Sequence, residues 1–174
     1  MAILIVAVGG SIRINDAGES CPDWPKCFGT YGFDISPEEQ GKYWEENPDQ
    51  IDSRGENHRY TVFEIFVEWF HRLLVGIVAI PIIMNLIISR RKQEIYGKSN
   101  YYASIFITLM LFIQAAAGAT TVFFDNVDWS VALHLSLACI FSGAIIWQYL
   151  LMRVKEGVNW SFLSVSKDFI QTNK

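Results

Sequence analysis

The segment "FVEWFHRLL", residues 66–74, places an acid, an imidazole and a guanidinium within five positions at the start of a long apolar stretch. Glu68 precedes His71 by three residues and Arg72 by four, so in a helix the three side chains share one face. Glu68 and Arg72 can be interpreted as an ion pair at the rim of a helix bundle. That pair leaves His71 unexplained, because ionisable side chains within membrane helices are costly and usually functional.

His134, in "VALHLSLA", is a second histidine inside an otherwise apolar stretch. A lone helical histidine is more often a core residue than a ligand, but two histidines at similar depth on two parallel helices are typical of a paired heme site in a helix bundle. We therefore predict that His71 and His134 bind heme iron. Arg13 and Arg72 are candidates to bind the anionic heme propionates, and His58 is expected to be solvated.

The elements that must position these side chains are transmembrane helices. Residues 101–124 and 129–152 contain no Asp, Glu, Lys or Arg, and residues 73–89, extended back to about 60, form a third candidate. A span needs roughly 20 apolar residues. "MAILIVAVGG" predicts a first helix that ends near Ile14 and looks truncated. The sequence thus predicts an all-α membrane protein, a four-helix transmembrane bundle over residues 1–152 with a long loop, about 15–59, between helices 1 and 2.

The distribution of charge predicts the orientation of this bundle. Four bases fall within residues 90–98, and Arg153 and Lys155 follow the last span, so the 90–98 loop and a tail or linker over 153–174 are predicted to be cytoplasmic. Residues 11–60 carry eleven acids against five bases and are predicted to be outside. The net charge of −4 averages these two faces and gives no support for a nucleic-acid partner.

The predicted outer loop contains two local signals. Cys21 and Cys27 bracket "CPDWPKC" in a disulfide-permissive compartment, which leaves a structural disulfide or a redox-active pair open, whereas a zinc site would need more ligands. Ser36, Pro37 and Glu39 have the spacing of an N-cap, N1 and N3, so a short helix is predicted to start there. The remaining cysteine, Cys139, lies in the last span and is expected to be buried.

The third span contains "QAAAGATTV", residues 114–122. Its small residues would allow a neighbouring backbone or a flat ring to approach closely, and small-residue helix packing is common in membranes. Gln114 is expected to form a hydrogen bond inside the bundle.

Four segments, "GGSIRINDAGESCPDWPKC", "EWFHRLLVG", "QAAAGATTV" and "ALHLSLA", taken in this order, resemble the heme A synthase family. The resemblance implies an oxidoreductase that converts a methyl group of heme O to the formyl group of heme A through hydroxylated intermediates, for terminal oxidases. It also implies a fold of two similar four-helix bundles, one for the substrate heme and one for a heme B. This sequence corresponds to the first bundle alone.

The resemblance also assigns roles to individual residues. Glu68 matches a glutamate tied to catalysis, His71 and His134 match heme ligands, and Cys21 and Cys27 match an extracytoplasmic disulfide. The implied partners are heme O, membrane lipid, heme O synthase, the terminal oxidase, and either a second copy of the chain or a second bundle. The implied location is a bacterial or archaeal cell membrane or the equivalent organelle inner membrane.

Two other functions remain open from the residues themselves. A non-catalytic bis-histidine membrane cytochrome would use His71 and His134 to carry electrons but would leave Glu68 without a task. A membrane thiol oxidoreductase would use Cys21 and Cys27 but would need a second reactive cysteine pair, and only Cys139 remains.

Overall fold

The computed structural model describes residues 1–156, which form six α-helices and one short 3-10 helix. The helices are α1 (Ala2–Ile14), α2 (Pro37–Glu46), α3 (Val62–Arg91), α4 (Gln93–Tyr96), α5 (Lys98–Phe123) and α6 (Asp128–Lys155), and the 3-10 turn is Pro48–Gln50. No β-strand occurs in the described part of the chain, so the all-α prediction is confirmed. Of the predicted tail, only the end of α6 and Glu156 fall within the described residues.

Three of these helices are long and apolar enough to cross a membrane: α3 with 30 residues, α5 with 26 and α6 with 28. The first helix, α1, ends at Ile14 as predicted, but its 13 residues reach only about 20 Å at 1.5 Å per residue. This is shorter than the ~30 Å hydrocarbon layer. The fourth span, and with it the four-helix transmembrane bundle, stays a prediction.

A buried polar cluster shows how the long helices run relative to one another. Asn85 and Ser89, late in α3, lie with Asn100, early in α5, and Gln148, late in α6. Asn85 donates to Gln148 over 2.8 Å, Gln148 donates to Asn100 over 3.1 Å, and Asn100 donates to Ser89 over 3.1 Å. Thus α3 and α6 are parallel and α5 is antiparallel to both, so the early parts of α3 and α6 lie at the same end as the late part of α5.

The apolar core of the helices lies between this cluster and the opposite end of the molecule. It contains Val78 and Ile82 of α3, Ile107 and Leu111 of α5, and Phe141 of α6. The first helix, α1, packs against α3 and α6. Pro81 lies inside α3, which continues through it to Arg91; membrane helices tolerate proline when neighbouring groups satisfy the freed carbonyl.

The loop before α3 folds onto the start of that helix. The loop contains α2, which begins at the predicted position. The Ser36 hydroxyl accepts a hydrogen bond from the Glu39 amide over 3.2 Å, and the Glu39 carboxylate accepts one from the Ser36 amide over 2.7 Å. The loop also has its own apolar core, which includes Phe28, Trp44 and Tyr60 and packs against Ile65 of α3. The loop is therefore a packed unit that presents residues 17–27 to one side of α3.

Candidate functional site

His71 lies in the third turn of α3, with its ring directed at α1. A Cβ atom placed on Gly9 of α1 would lie 3.2 Å from Cε1 of His71, so a glycine at this position lets the ring and the helix meet. Nδ1 of His71 is buried and has no hydrogen-bond partner; the backbone of Ile5 approaches the ring without the geometry of a hydrogen bond. Because buried polar atoms are normally paired, this nitrogen is an exception, and it faces the backbone of α1.

His134 occupies the corresponding position in α6, facing α5. A Cβ atom placed on Gly118 would lie 3.1 Å from Cε1 of His134, so the small-residue stretch does accommodate a flat ring, that of this histidine. The Gln114 side-chain amide donates to the His134 carbonyl over 3.0 Å and lies 3.2 Å from Nδ1 of the ring. As expected from the sequence, Gln114 bonds inside the helix assembly, and it orients His134.

The two histidines stand on different helices but at the same end of the helix assembly. His71 lies in the third turn of α3 and His134 in the second turn of α6, at the same end of two parallel helices, and each ring packs beside a glycine. In the described part of the chain, no group of three or more His, Cys, Asp and Glu side chains could hold a metal ion. Two imidazoles on two parallel helices fit a metal whose remaining ligands come with it, as the porphyrin nitrogens do for heme iron.

Glu68 lies one turn before His71 and is only 4% exposed. Its Oε2 accepts from the Ser20 hydroxyl and from the Cys21 amide, each over 2.9 Å, and its Oε1 accepts from Arg72. Both carboxylate oxygens are thus bound, and two of the three donors come from the loop. A carboxylate with this many donors is fixed in orientation and compensated for its loss of water.

Arg72 fastens the same loop to α3. Its Nη1 donates to the carbonyls of Asp23 and Lys26, and its Nη2 donates to the Cys21 carbonyl over 2.7 Å as well as to Glu68. Its predicted contact with a propionate stays a prediction, since the partners that it has here are loop carbonyls and Glu68.

Arg13, the other predicted propionate ligand, lies at the end of α1 and is exposed. It pairs with Asp128 at the start of α6 over 2.7 Å, and the Asp128 side chain is almost fully exposed. Exposed pairs of this kind contribute little and exchange readily with other anions. Arg13 is therefore held less strongly by its present partner than Arg72 is by its four acceptors. The predicted contact of Arg13 with a propionate also stays a prediction.

The three cysteines and His58 differ in how well the sequence predicts them. Cys21 and Cys27 form a disulfide, and both are buried in the loop core. The expectation for Cys139 is wrong, because this residue is exposed on α6; an apolar side chain can face lipid without cost. His58 is partly buried instead of solvated, since its ring packs against Tyr60 and its Nε2 lies 3.3 Å from Nη1 of Arg54.

The loop also buries acidic and phenolic groups whose pKa values respond to their surroundings. Burial raises the pKa of Glu19, and the hydrogen bond from Ser53, 3.0 Å long, only partly offsets this effect. Burial also raises the pKa of Tyr60, whose hydroxyl donates to Asp52 over 2.5 Å. Both groups are therefore easier to keep protonated in the folded loop than in the unfolded chain.

Two residues in contact with the predicted site are not predicted from the sequence. Ser20 is fully buried against Glu68, and Gly9 packs on His71. Gly9 stands in a Gly-Gly pair inside an apolar helix, which is a signal for close packing. Ser20 lies in the segment "GGSIRINDAGESCPDWPKC" that carries the resemblance, but nothing in the sequence assigns it a contact with Glu68.

Comparison with known proteins relates this chain to a protein family. Curated relatives named heme A synthase match the chain at modest identity: 27% over 149 residues for the protein of Shouchella clausii, 26% over 159 residues for that of Geobacillus thermodenitrificans, and 29% over 126 residues for that of Orientia tsutsugamushi. These matches cover 84%, 88% and 68% of this chain but only 40%, 41% and 33% of the relatives. The chain thus spans about two fifths of the length of the first two.

No solved structure gives a significant match. The family profile described as cytochrome oxidase assembly protein, COX15-CtaA, matches residues 1–169. This match covers nearly the whole chain, including the segments that carry His71, His134, Glu68 and the disulfide loop. The chain therefore belongs to the COX15-CtaA family of cytochrome oxidase assembly proteins.

Proposed function

We propose that this protein acts in heme A biosynthesis, as an oxidoreductase that oxidises a methyl group of heme O toward the formyl group of heme A. The observation that carries the proposal is the placement of His71 on α3 and His134 on α6 at the same end of two parallel helices, each with its ring beside a glycine. The names of the curated relatives agree with it. The three apolar helices and the family make the chain a multi-pass membrane protein, in which a lipophilic substrate is accessible.

His71 and His134 would hold the heme iron through their imidazoles. Gln114 would keep the His134 ring in place, since its amide is bonded to the backbone and lies beside the ring of that residue. Heme supplies the redox chemistry when bound, and the protein supplies position and electrostatics. Heme O would be the substrate, and heme B is a possible prosthetic group in the same or a second bundle.

Glu68 would provide a fixed negative charge or a base one turn from His71. Ser20 and Cys21 hold one of its oxygens and Arg72 holds the other, so its side chain does not have to be ordered at the moment of reaction. This pre-organisation is what a residue acting on a developing charge requires. Its burial at 4% exposure means that such action needs the substrate to be seated close to α3.

A bis-histidine electron carrier is the second candidate. The observation in its favour is that both oxygens of Glu68 already have partners within the protein. Glu68 thus has a structural role, which is to hold the loop against α3. A thiol oxidoreductase is less well supported, because Cys21 and Cys27 are buried and Cys139 lies alone on α6.

The relatives are more than twice as long as the matched region, so a complete enzyme would need either a second bundle or a second copy of this chain. Heme O synthase and the terminal oxidase are the proposed neighbours in the pathway. The proposed location is a bacterial or archaeal cell membrane or an organelle inner membrane, with the loop before α3 outside and residues 90–98 in the cytoplasm.

Purification of the protein from cells that make heme O, followed by extraction and chromatography of its pigments, tests the proposal. Heme A or a hydroxylated heme O in the extract supports an enzyme. Heme B alone, with an unchanged pool of heme O, supports the electron carrier. A protein without any heme would contradict both functions.

A further inference from the structure

An exposed aromatic tip on the disulfide loop is not explained by the heme site. Trp24 is 59% exposed and Tyr31 is 70% exposed. Cys27 and Thr30 pair their backbones as a tight turn, which places Lys26 and Tyr31 side by side, with the Lys26 ammonium 5.6 Å from the Tyr31 ring. We refer to Trp24, Lys26 and Tyr31 as the loop tip.

The loop tip is fixed at a defined height along α3. Arg72 donates to the carbonyls of Asp23 and Lys26, which flank Trp24 along the chain. The Trp69 indole donates to the Tyr31 carbonyl over 2.7 Å. The tip therefore lies beside residues 69–72 of α3, two to three turns after the helix begins.

The length of α3 places residues 69–72 at the membrane border. Its 30 residues extend about 45 Å, which exceeds the ~30 Å hydrocarbon layer by roughly ten residues. Arg90 and Arg91 at the far end have to stay outside the hydrocarbon, and about 20 residues counted back from Arg90 reach Phe70. The first turns of α3 therefore extend beyond the hydrocarbon layer, and Arg72 lies at its edge.

The chemistry of the loop tip matches that edge. Tryptophan and tyrosine are enriched at membrane–water interfaces because their rings are amphipathic, and a lysine can extend its ammonium to lipid phosphates. The nearest acid, Asp23, faces inward, since its Oδ2 accepts from the Gly29 amide over 3.0 Å and its Oδ1 is buried. The tip therefore presents aromatic rings and a positive charge toward the surface.

We propose that the loop tip is a lipid-docking surface, in which Trp24, Lys26 and Tyr31 rest in the phospholipid interface of the membrane that α3 crosses. Docking would fix the height of the disulfide loop, and with it the donors that the loop directs at Glu68. The occupant is the lipid headgroup region and the upper acyl chain, and the proposal does not depend on heme chemistry or on which side of the membrane the loop faces.

Tryptophan quenching by brominated phospholipids tests this surface. Wild-type protein and the variant Trp24→Phe would be placed, at equal heme content, in phosphatidylcholine nanodiscs with bromines either near the headgroup end of the acyl chain or near its middle. The difference in emission between wild type and Trp24→Phe is the emission of Trp24. Shallow bromines should quench this emission at least twofold more than deep bromines do. The matched control is Trp44→Phe. Trp44 lies in the loop core at 3% exposure, so neither the shallow nor the deep bromines should quench its emission.

Two results would overturn the proposal. If iodide in the buffer quenches the Trp24 emission as strongly as that of a free tryptophan while both bromines leave it unchanged, the tip is in water. If neither iodide nor bromine reaches Trp24, the tip is covered by protein instead of lipid. Thermal unfolding of both variants in the same nanodiscs checks that the Phe substitutions leave the fold intact.

Discussion

The backbone amide of Cys21 donates a hydrogen bond of 2.9 Å to Oε2 of Glu68, so the disulfide loop and the second turn of α3 share one buried carboxylate. The Ser20 hydroxyl donates to the same oxygen, and Arg72 connects the other oxygen to the Cys21 carbonyl. The positions of the loop and of Glu68 are therefore coupled. A change that loosens the loop should also change how Glu68 is held.

Arg72→Lys should release the loop without removing the positive charge. The guanidinium reaches four acceptors through two nitrogens, which one ammonium at the end of a flexible chain cannot reproduce. Loss of charge-assisted hydrogen bonds should cost about 1.5–3 kcal/mol. Amide hydrogen exchange over residues 20–31 should become faster, as measured by mass spectrometry.

The matched control for this change is Arg13→Lys, whose wild-type partner Asp128 is exposed. Exposed pairs contribute roughly 0–1 kcal/mol, so exchange in the loop should stay as in the wild type. Equal exchange rates in Arg72→Lys and the wild type would show that Arg72 does not hold the loop.

The bond between Cys21 and Cys27 predicts a simple labelling pattern. Alkylation of the denatured protein without reductant should modify Cys139 alone, and reduction before alkylation should modify all three cysteines. Intact-mass analysis distinguishes the two patterns. Labelling of Cys21 and Cys27 without reductant, in protein from an oxidising compartment, would instead support a redox-active pair.

Helix positions followed from the sequence, because charge-free stretches and capping residues are local signals. The Ser36–Glu39 capping box is an example, since its spacing alone determines its bonds. The cluster of Asn85, Ser89, Asn100 and Gln148 could not be predicted in this way. Asn85 and Gln148 are single polar residues in apolar stretches, Ser89 and Asn100 stand beside charged or polar residues, and the partners of all four lie on three different helices.

The same limit applies to the site. The pairing of His71 with His134 is predicted because histidines are rare in apolar helices, and the structure places both residues at the same end of two parallel helices. The prediction that Arg72 contacts a propionate is based only on residues of its own helix, α3. In the structure, residues 20–27 pack against α3. Three of the four acceptors of Arg72 are loop carbonyls about 50 residues earlier in the sequence, and the fourth is Glu68, one helical turn away. Such contacts depend on the packing of the loop core and leave no local pattern.

His71→Ala and His134→Ala should each remove the low-spin, six-coordinate heme spectrum. Each substitution deletes one of two imidazoles that approach from different helices, and the remaining one can supply only five-coordination. The measurement is the absorption spectrum and heme content of purified protein. His58→Ala is the control, because His58 packs on Tyr60 in the loop and should leave the spectrum unchanged. An unchanged spectrum in either of the first two variants would exclude that residue as an axial ligand.

Glu19 should make the loop less stable as the pH rises. Burial raises the pKa of Glu19 above that of a solvent-exposed glutamate, so the folded loop binds this proton more tightly than the unfolded chain does. Ionised Glu19 therefore costs stability at neutral pH, and this cost disappears as the pH falls through the raised pKa. Glu19→Gln should accordingly raise the unfolding temperature at neutral pH, with the difference from wild type fading toward acidic pH.

A control with the opposite sign is Glu39→Gln. Its hydrogen bonds with Ser36 lower the pKa of Glu39, so ionised Glu39 stabilises the start of α2 at any pH above the ordinary pKa of a glutamate, and this contribution is lost as the pH falls through the lowered pKa. Glu39→Gln should lower stability at neutral pH. Thermal unfolding followed by tryptophan emission between about pH 4 and pH 8 measures both variants. If the two variants shift stability in the same direction at neutral pH, the assignment for Glu19 is wrong.

Glu68→Gln separates a catalytic role of this residue from its role in holding the loop. The amide is isosteric and leaves His71 and His134 in place, so heme content and spectrum should match the wild type. Its NH₂ group would meet a donor, either Arg72 or the Ser20–Cys21 pair, which should loosen the loop by about 1.5–3 kcal/mol. If Glu68 acts on the heme methyl group, conversion of heme O to heme A should also fall by at least about 100-fold, the usual lower range for loss of a general acid or base.

Arg72→Lys is the comparison that decides between these roles, because it loosens the same loop but keeps the carboxylate of Glu68. Both variants would be co-expressed with a source of heme O, and their extracted pigments would be separated by chromatography. A catalytic Glu68 predicts a much larger loss of heme A in Glu68→Gln than in Arg72→Lys. Equal losses would mean that Glu68 acts only through the loop. Wild-type amounts of heme A from a folded Glu68→Gln protein would refute the catalytic role of Glu68, and the enzyme would then act without this carboxylate.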